Sequence, residues 1–396
     1  MVELKGKYNS AKVFTDNLES TAFMQIENLL DKKFVKGSKI RIMPDAHAGA
    51  GCTIGTTMTI KDKIVPNLVG VDIGCGVETV VLKNKKINLA RLDETINRNI
   101  PSSFSIRRSP HEYLKKIDLH KLKAARDVNI QRAELSIGTL GGGNHFIEVG
   151  KDQDENLYLT VHSGSRNLGK QIADHYQKLA IRDMAHKSKA IRDKIFLFER
   201  EGKEKNAESH RKKLELYDVE RSLAFLEGDL FHDYLHDMEI VQRYAKLNRL
   251  AIVDEIVTRM DLDVDYQFTT THNYIDIDSM ILRKGAISAK KGERVLIPIN
   301  MRDGSLICIG KGNEDWNYSA PHGAGRIMSR TAAKANIKLS DFEKSMKGIY
   351  SSTVSKRTLD EAPFAYKPMQ EIIDNIHDTV TIEKVIKPIY NFKAPE

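Results

Sequence analysis

The stretch Gly70-Val71-Asp72-Ile73-Gly74-Cys75-Gly76 places two potential metal ligands, Asp72 and Cys75, three residues apart among glycines. Four histidines lie in similar turns flanked by glycine or asparagine: His145, His162, His272 and His322. A carboxylate, a thiolate and several imidazoles form a set that binds transition metals such as Mn²⁺, Fe²⁺ or Zn²⁺. Because the five segments span most of the sequence, a single site gathered from them would make residues 1–396 one enzyme domain.

Each of these residues taken alone has an ordinary structural explanation. Histidine is common at turns and half-buried positions, and a lone cysteine is usually an inert buried thiol. The metal-site hypothesis therefore rests on co-occurrence, and a thiolate such as that of Cys75 can bridge two ions. Other histidines lie in helical or highly charged stretches and are given structural roles: His111, His120, His175, His186, His210, His232, His236 and His377.

The composition is that of an ordinary soluble globular protein. The chain has 396 residues, of which 41% are hydrophobic and 29% are charged. No stretch approaches the ~20 apolar residues of a membrane helix, which predicts no membrane association. Three cysteines argue against a secreted disulfide framework and favour a reducing cytoplasm. The formal net charge of +8 favours a polyanionic partner such as nucleic acid, although many basic proteins bind none.

The order of apolar patterns predicts an α+β fold, because strands and helices alternate irregularly. The spacing predicts helices over 21–31 and 369–376 and a mostly helical region over 169–249. Within it, 187–221 is dense in charge and is interpreted as a helical arm, with a solvated helix face as the simpler alternative. Predicted strands are 39–42, 52–60, 68–71, 78–82, 157–161, 266–271, 295–299, 306–309 and 385–392.

One segment resembles a phosphate-binding loop. Gly164-Ser165-Arg166-Asn167-Leu168-Gly169-Lys170-Gln171 nearly matches G-x-x-x-x-G-K-[ST], but Gln171 replaces the hydroxyl residue that would hold Mg²⁺. Residues 250–255 imitate the apolar strand ending in an acid that completes such a site, yet no turn precedes them and we interpret them as helix. A P-loop-like NTPase stays an alternative that leaves the histidines, Cys75 and Asp72 unexplained.

Longer motifs resemble the RtcB family of RNA ligases, and they follow in order over nearly the whole chain. They are Pro44-Asp45-Ala46-His47-Ala48-Gly49, the stretch Gly70–Gly76, Gly138-Thr139-Leu140-Gly141-Gly142-Gly143-Asn144-His145-Phe146-Ile147-Glu148, His162-Ser163-Gly164-Ser165-Arg166, Thr271-His272-Asn273-Tyr274 and Ser319-Ala320-Pro321-His322-Gly323-Ala324-Gly325-Arg326. The resemblance implies one RtcB-type domain with mixed sheets around a central metal cleft.

The same resemblance implies an activity and its machinery. The family joins RNA 3′-phosphate or 2′,3′-cyclic phosphate ends to 5′-hydroxyl ends in tRNA splicing or RNA repair, using GTP and two Mn²⁺ ions. Carried over, the metal ligands are Asp72, Cys75, His145, His162 and His272, with Cys75 bridging. His322 would be the nucleophile that becomes guanylylated, and Arg166 would hold an RNA phosphate. Archease is an admissible activating partner, and a monomer is the favoured oligomeric state.

The nucleotide pocket implied by the resemblance departs from the family at one loop. Where the family commonly has Pro-Gly-Ser-Met-Gly-Thr, this chain has Pro298-Ile299-Asn300-Met301-Arg302-Asp303. The residues expected around GTP or GMP are Asn144, Glu148, His272, Asn273, Asn300, Met301, Ser305, His322, Gly323, Ala324, Gly325, Tyr366 and Lys393. A metal-dependent RNA phosphodiesterase, which would use the same ions without joining ends, is the second alternative.

Overall fold

The computed structural model describes residues 1–394, so the last two residues of the predicted domain 1–396 lie outside the described part of the chain. Strands are β1 Val2–Lys5, β2 Ser10–Val13, β3 Ile40–His47, β4 Ile54–Thr59, β5 Gly76–Leu82, β6 Phe146–Lys151, β7 Leu157–Ser163, β8 Val264–Asp276, β9 Ile281–Ser288, β10 Arg294–Asn300, β11 Gly304–Gly310, β12 Ser319–Pro321 and β13 Val380–Lys393. Helices are α1 Ser20–Leu30, α2 Leu89–Asn99, α3 Ile130–Glu134, α4 Arg166–Arg200, α5 Glu204–Leu214, α6 Asp229–Met260, α7 Arg330–Asn336, α8 Leu339–Ser345 and α9 Met369–Ile376.

The strands join into one mixed sheet, in the order β1-β2-β3-β4-β9-β8-β5-β7-β6-β13-β11-β10, with β12 paired to β9. The central strand β5 is buried along its whole length, as its apolar run predicts for a strand covered on both faces. It pairs antiparallel with both β7 and β8. The predicted α+β fold with mixed strands is confirmed, and this strand brings the turn before it beside the ends of its two neighbours.

Helix α6 is the principal helix behind these central strands and contacts β5, β7 and β8. It is 32 residues long and buries apolar side chains on several sides, including Tyr234, Val241 and Ile252. A helix that is apolar around most of its circumference belongs in a core. The interpretation of 250–255 as helix is thus confirmed, and the adjoining Arg249 is placed beneath the central strands.

The strand predicted over 68–71 is wrong. Pro66–Leu68 forms a 3-10 turn, and the Val69 amide donates to the Pro66 carbonyl. Proline suits the first residue of a helical turn, where its missing N–H is not needed. Leu68 and Val69 are nevertheless fully buried in the main core. The apolar character of Leu68 and Val69 therefore reflects their burial in the core and not pairing in the sheet.

Residues 187–221 comprise the second half of α4, the helix α5 and a 3-10 turn at Arg221–Leu223. The chain reverses at Gly202, whose φ of +70° suits glycine. Two apolar side chains of α4, Ile191 and Ile195, pack with Ala207 of α5. Glu215 then ties this arm to the amino-terminal strands through an ion pair of 2.7 Å with Lys7. Among the described residues, no helix has both the length and the apolar content that a membrane crossing requires.

Candidate metal and nucleotide site

The turn that carries Asp72 and Cys75 is fixed by hydrogen bonds from three directions. The Cys75 amide donates to the Asp72 carbonyl (3.2 Å), and the Gly74 amide donates to the Asn273 carbonyl (2.8 Å). From below, the buried Arg249 guanidinium donates to the carbonyls of Gly74 (2.8 Å) and Ser163 (3.0 Å). Gly74 has φ +71°, and a Cβ there would press on α6 at 3.0 Å. The turn therefore holds both candidate ligands rigidly at the edge of β5.

The predicted metal ligands come together in two groups that share one thiol. Cys75, His162 and His272 form one group, and Asp72, Cys75 and His145 form the other, with the ligand atoms of each group within 4.8 Å of one another. The Cys75 Sγ lies 3.4 Å from the His145 Nε2 and 3.3 Å from the His162 Nε2. This arrangement offers donors for two ions with the thiolate of Cys75 between them.

Backbone carbonyls set the orientation of two of the imidazoles. The His145 Nδ1 donates to the Leu140 carbonyl (2.9 Å), and the His162 Nδ1 donates to the Asn144 carbonyl (3.0 Å). A proton on Nδ1 leaves the Nε2 lone pair free, which is the form in which neutral histidine binds a metal. Both Nε2 atoms consequently point toward the sulfur of Cys75 with their lone pairs available.

Several of these donor atoms approach one another closely enough to share one cation. The Nε2 atoms of His162 and His272 are 3.3 Å apart. Burial, together with the neighbouring imidazoles, holds the pKa of both histidines well below its ordinary value. Both rings are therefore favoured in the neutral form that binds metals, and a divalent transition-metal ion fits the donor set.

Asp72 is positioned by the start of α4. The Ser165 amide donates to the Asp72 Oδ1 at 2.9 Å, and the Ser165 hydroxyl donates to the same atom at 3.2 Å. Burial alone would raise the pKa of the Asp72 carboxyl, but His145 at 3.0 Å and the nearby Arg166 hold it below its usual range. The segment that imitates a phosphate loop thus binds a carboxylate of the protein itself at its first amide.

The pKa of the Cys75 thiol is shifted in the opposite direction from that of the Asp72 carboxyl. Burial and the adjacent Asp72 carboxylate raise the pKa of Cys75 well above its ordinary value, while Arg249 opposes the rise. A bound cation would reverse this, because a coordinating thiol loses its proton to the metal. Arg249 supplies fixed positive charge under the thiol, although the sequence analysis gave it no role.

His322 is oriented by a carboxylate that is wholly buried. The His322 Nδ1 donates to the Asp45 Oδ2 at 2.6 Å, and the His322 backbone amide donates to the same oxygen at 3.1 Å. Asp45 has no exposed surface, whereas His322 is partly exposed. The His322 ring lies beside that of His272, with centroids 4.9 Å apart. Its Nε2 is thereby left free next to the candidate metal ligands.

One cavity of about 290 Å³ connects the donor groups to His322 and continues away from them. At one end it is lined by Asp72, Cys75 and His162. Its walls contain every residue expected around GTP or GMP: Asn144, Glu148, His272, Asn273, Asn300, Met301, Ser305, His322, Gly323, Ala324, Gly325, Tyr366 and Lys393. The predicted set is therefore brought together in space, while the contact of each member with a nucleotide stays a prediction.

A buried carboxylate, Glu361, organises the part of the cavity wall that contains Lys393 and Tyr366. It accepts hydrogen bonds from the Lys393 ammonium (2.6 Å), the Tyr366 hydroxyl (2.5 Å) and the Arg326 guanidinium (3.3 Å). Burial would raise the pKa of Glu361, but the cations, Lys393 foremost, lower it well below its ordinary value. The arrangement holds Lys393 and Tyr366 in place in the cavity wall.

Glu148 lies in the same region and is nearly inaccessible to solvent, at 3% exposure. Burial raises the pKa of its carboxyl to about 7, against an opposing hydrogen bond from the Asn391 amide (2.8 Å) and the charge of Lys393.

The loop 298–303, which departs from the family pattern, is held by hydrogen bonds within itself. The Asn300 side chain bonds the carboxylate of Asp303 and accepts from two backbone amides of the same turn.

Arg166 lies behind the donor groups and outside the cavity lining. Its Nε donates to the Thr139 hydroxyl (3.0 Å), and its Nη2 donates to the Ser103 carbonyl (2.9 Å). Its φ of +56° is unusual for a residue other than glycine. The predicted contact with an RNA phosphate stays a prediction, since both bonds are to the protein itself.

Sequence reasoning missed three residues of this region: Asp45, Arg249 and Glu361. Asp45 stood in the quoted motif Pro44–Gly49, and an aspartate within an apolar strand was its available signal. Arg249 directly precedes the apolar run 250–253 of α6, which is a signal for a buried cation with a specific partner. Glu361 has no local signal for a buried charge, because its cationic partners Lys393 and Arg326 are 32 and 35 residues away.

Comparisons with known proteins agree with this geometry. A family profile described as tRNA-splicing ligase RtcB matches residues 25–394. The chain is 28% identical to RNA-splicing ligase RtcB of Escherichia coli strain K12, over 95% of each chain. It is 24% identical to tRNA-splicing ligase RtcB of Pyrobaculum aerophilum over 87% of this chain and 85% of that one, and 25% identical to the Nanoarchaeum equitans protein of the same name over 96% and 92%. The chain belongs to the RtcB family of RNA ligases.

Proposed function

We propose that this RNA ligase joins 3′-phosphate or 2′,3′-cyclic phosphate ends to 5′-hydroxyl ends by way of a guanylylated His322, with GTP as the nucleotide and two Mn²⁺ ions as cofactors. The observation that carries the proposal is the placement of His322. Its ring is oriented by Asp45, lies beside two donor groups that share Cys75, and lines the same cavity as they do. We further propose tRNA splicing or RNA repair in the cytoplasm as its setting.

The first step is attack of the His322 Nε2 on the α-phosphorus of GTP. The carboxylate of Asp45 accepts the Nδ1 proton at 2.6 Å, so the lone pair on Nε2 faces the cavity and positive charge on the ring is stabilised as the bond forms. A nitrogen–phosphorus bond forms, the bond to the β-phosphate oxygen breaks, and pyrophosphate leaves. Bound divalent ions would neutralise phosphate charge, and Asp72, Cys75, His145, His162 and His272 would hold them.

The later steps transfer and then release GMP. A 3′-phosphate oxygen of RNA attacks the phosphorus on His322, and the imidazole leaves with its electron pair. The 5′-hydroxyl of the second RNA end then attacks the activated 3′-phosphate, loses its proton and displaces GMP. In this scheme Arg166 contacts an RNA phosphate, as its planar set of donors suits.

Guanine would occupy the part of the cavity whose wall Glu361 organises. Lys393 and Tyr366 are held there by Glu361, and Glu148 presents a carboxyl with a pKa near 7. A lysine ammonium donates to a guanine carbonyl oxygen, and a tyrosine ring offers a face for stacking. These groups favour the binding of a purine that carries a carbonyl on its ring, such as guanine.

We further propose that the protein is a monomer and that archease can activate it.

The deciding experiment is incubation with α-labelled GTP and Mn²⁺ followed by a denaturing gel. Retained, acid-labile label that is lost in His322→Ala is the expected result. His377→Ala, which changes an exposed histidine far along the chain, is the matched control and should label normally. Absence of label with every nucleotide and divalent ion, combined with cleavage of RNA, would instead support the phosphodiesterase alternative and refute the ligase mechanism.

A further inference from the structure

An aromatic side chain stands in solvent on a tight turn beside the candidate metal site. Phe104 is 80% exposed, more than any other large apolar side chain in residues 1–394. The turn is closed by a hydrogen bond of 3.0 Å from the Ser105 amide to the Ser102 carbonyl. Ser103 has φ +54°, at a position where such a turn usually has glycine. A strained turn that presents an aromatic ring to water is a candidate functional feature.

Backbone contacts fix this turn to the wall of the metal site. Ser102 pairs with Gly141, and the Ser103 amide donates to the Gly141 carbonyl at 2.9 Å. A side chain on Gly141 would collide with both the Arg166 guanidinium and the His145 imidazole, so its backbone lies between them. Arg166 in turn donates to the Ser103 carbonyl at 2.9 Å. Phe104 therefore directly follows Ser103, whose backbone contacts the residues packed against His145.

The segment that begins at this turn is rich in cations, and one of them contacts the turn directly. The Arg132 guanidinium donates to the Phe104 carbonyl at 2.9 Å. The segment 104–134 contains eight Lys and Arg against four Asp and Glu, an excess of four that is half of the formal net charge of +8. Arg108 and Arg126 are exposed and form no ion pair with any residue that the structure describes. Phosphate groups are the natural counter-charge for such a surface.

The character of the patch distinguishes among possible ligands. Single exposed apolar side chains are common, and a protein-docking surface would present a larger contiguous apolar area. Here one aromatic ring stands between two serines, and the Arg132 guanidinium bonds the backbone of the same residue. Exposed aromatic rings combined with nearby cations bind unpaired nucleobases and their phosphates.

We propose that Phe104 is a stacking platform for an unpaired base of an RNA end, and that it holds that end against the Arg166 side of the candidate metal site. The inference rests on the proposed function only in taking RNA as the substrate. It assigns a base-binding subsite that is separate from the nucleotide cavity, since Phe104 does not line that cavity. Stacking of this kind recognises any base and so adds affinity without sequence preference.

The test is binding of a short single-stranded RNA, with 2-aminopurine beside its 3′-phosphate, to the full chain without GTP. Stacking on Phe104 quenches the fluorescence of the base. Phe104→Ala should weaken binding by about 5-fold to about 150-fold and remove the quenching, as loss of one stacked base predicts. Phe104→Trp should restore both, and Phe104→Leu, which keeps an apolar side chain without a ring, should not.

Guanylylation of each variant with GTP alone separates this inference from the proposed function. All four proteins should take up label equally, because Phe104 lies outside the nucleotide cavity. Equal RNA affinity and equal quenching in wild type and Phe104→Ala would overturn the stacking platform while leaving the ligase chemistry standing. Weakened RNA binding in a protein that never accepts GMP would leave the platform standing and refute the ligase mechanism.

Discussion

Replacing Glu148 with glutamine should remove a pH-dependent loss of stability that this carboxyl causes. Burial raises the pKa of Glu148 from 4.5 to about 7. Between these values the native protein keeps a proton that the unfolded chain has released, so rising pH lowers the free energy of unfolding there and has no further effect above pH about 7. A rise in pKa of this size corresponds to about 3 kcal/mol in total.

The assay is urea unfolding of wild type and Glu148→Gln at several pH values from 5 to 8. Glutamine imitates the protonated carboxyl, whose stability does not depend on pH. The free energy of unfolding of the variant, taken relative to that of wild type, should therefore rise by about 2 to 3 kcal/mol from pH 5 to pH 8. Glu343→Gln changes an exposed carboxylate and should give a constant difference. A Glu148→Gln difference that does not change with pH would refute the reasoning, because it would mean that the carboxyl titrates alike in both states.

Three further predictions concern the metal site and the nucleophile. Cys75→Ala should lose both ions, whereas His272→Ala should keep about half of the wild-type metal content, because Cys75 alone belongs to both donor groups; metal analysis of the purified proteins measures this. Asp45→Asn should slow single-turnover guanylylation by about 100-fold or more, since an amide oxygen is a weaker partner for the imidazole than a carboxylate. Gly164→Ala should weaken metal affinity by about 10-fold to about 100-fold in chelator competition, because its Cβ would displace the Asp72 carboxylate.

These outcomes have matched controls. Gly202→Ala adds the same methyl group where nothing lies within 4 Å; its φ of +70° adds backbone strain only at the turn between α4 and α5, so its metal affinity should equal that of wild type. Equal metal loss in Cys75→Ala and His272→Ala would contradict a shared thiolate. An Asp45→Asn protein that is guanylylated at the wild-type rate, with normal metal content, would show that the carboxylate does not orient His322.

Much of the site could be predicted from the sequence because its residues sit in short motifs with local signals. Glycines around Asp72 and Cys75 indicated a turn, and an apolar run before His162 and a run of aromatic and threonine residues before His272 indicated strands that the structure contains. What the motifs could not supply was their partners. Glu361 lies beside Lys393 only because β13 returns to the sheet next to β6, which is a property of topology.

The error over 68–71 has a related cause. Apolar residues are required wherever the chain is buried, and periodicity over four residues does not distinguish a strand from a buried turn. Leu68 and Val69 are buried beneath the site without joining the sheet. Pro66, at the first residue of the 3-10 turn, is the local signal for a turn in this segment.

The spread of donor atoms along the chain bears on how the protein matures. The two ligands before β5 meet His162 and His272 only when β5 has paired with both β7 and β8. The donor group that contains His272 is complete only when more than two thirds of the chain has been synthesised and the central sheet has closed. An ion that binds only this closed state would draw the folding equilibrium toward it. Metal binding by this group would therefore come late in folding, and a chain that misfolds around β5 would lack its stabilisation.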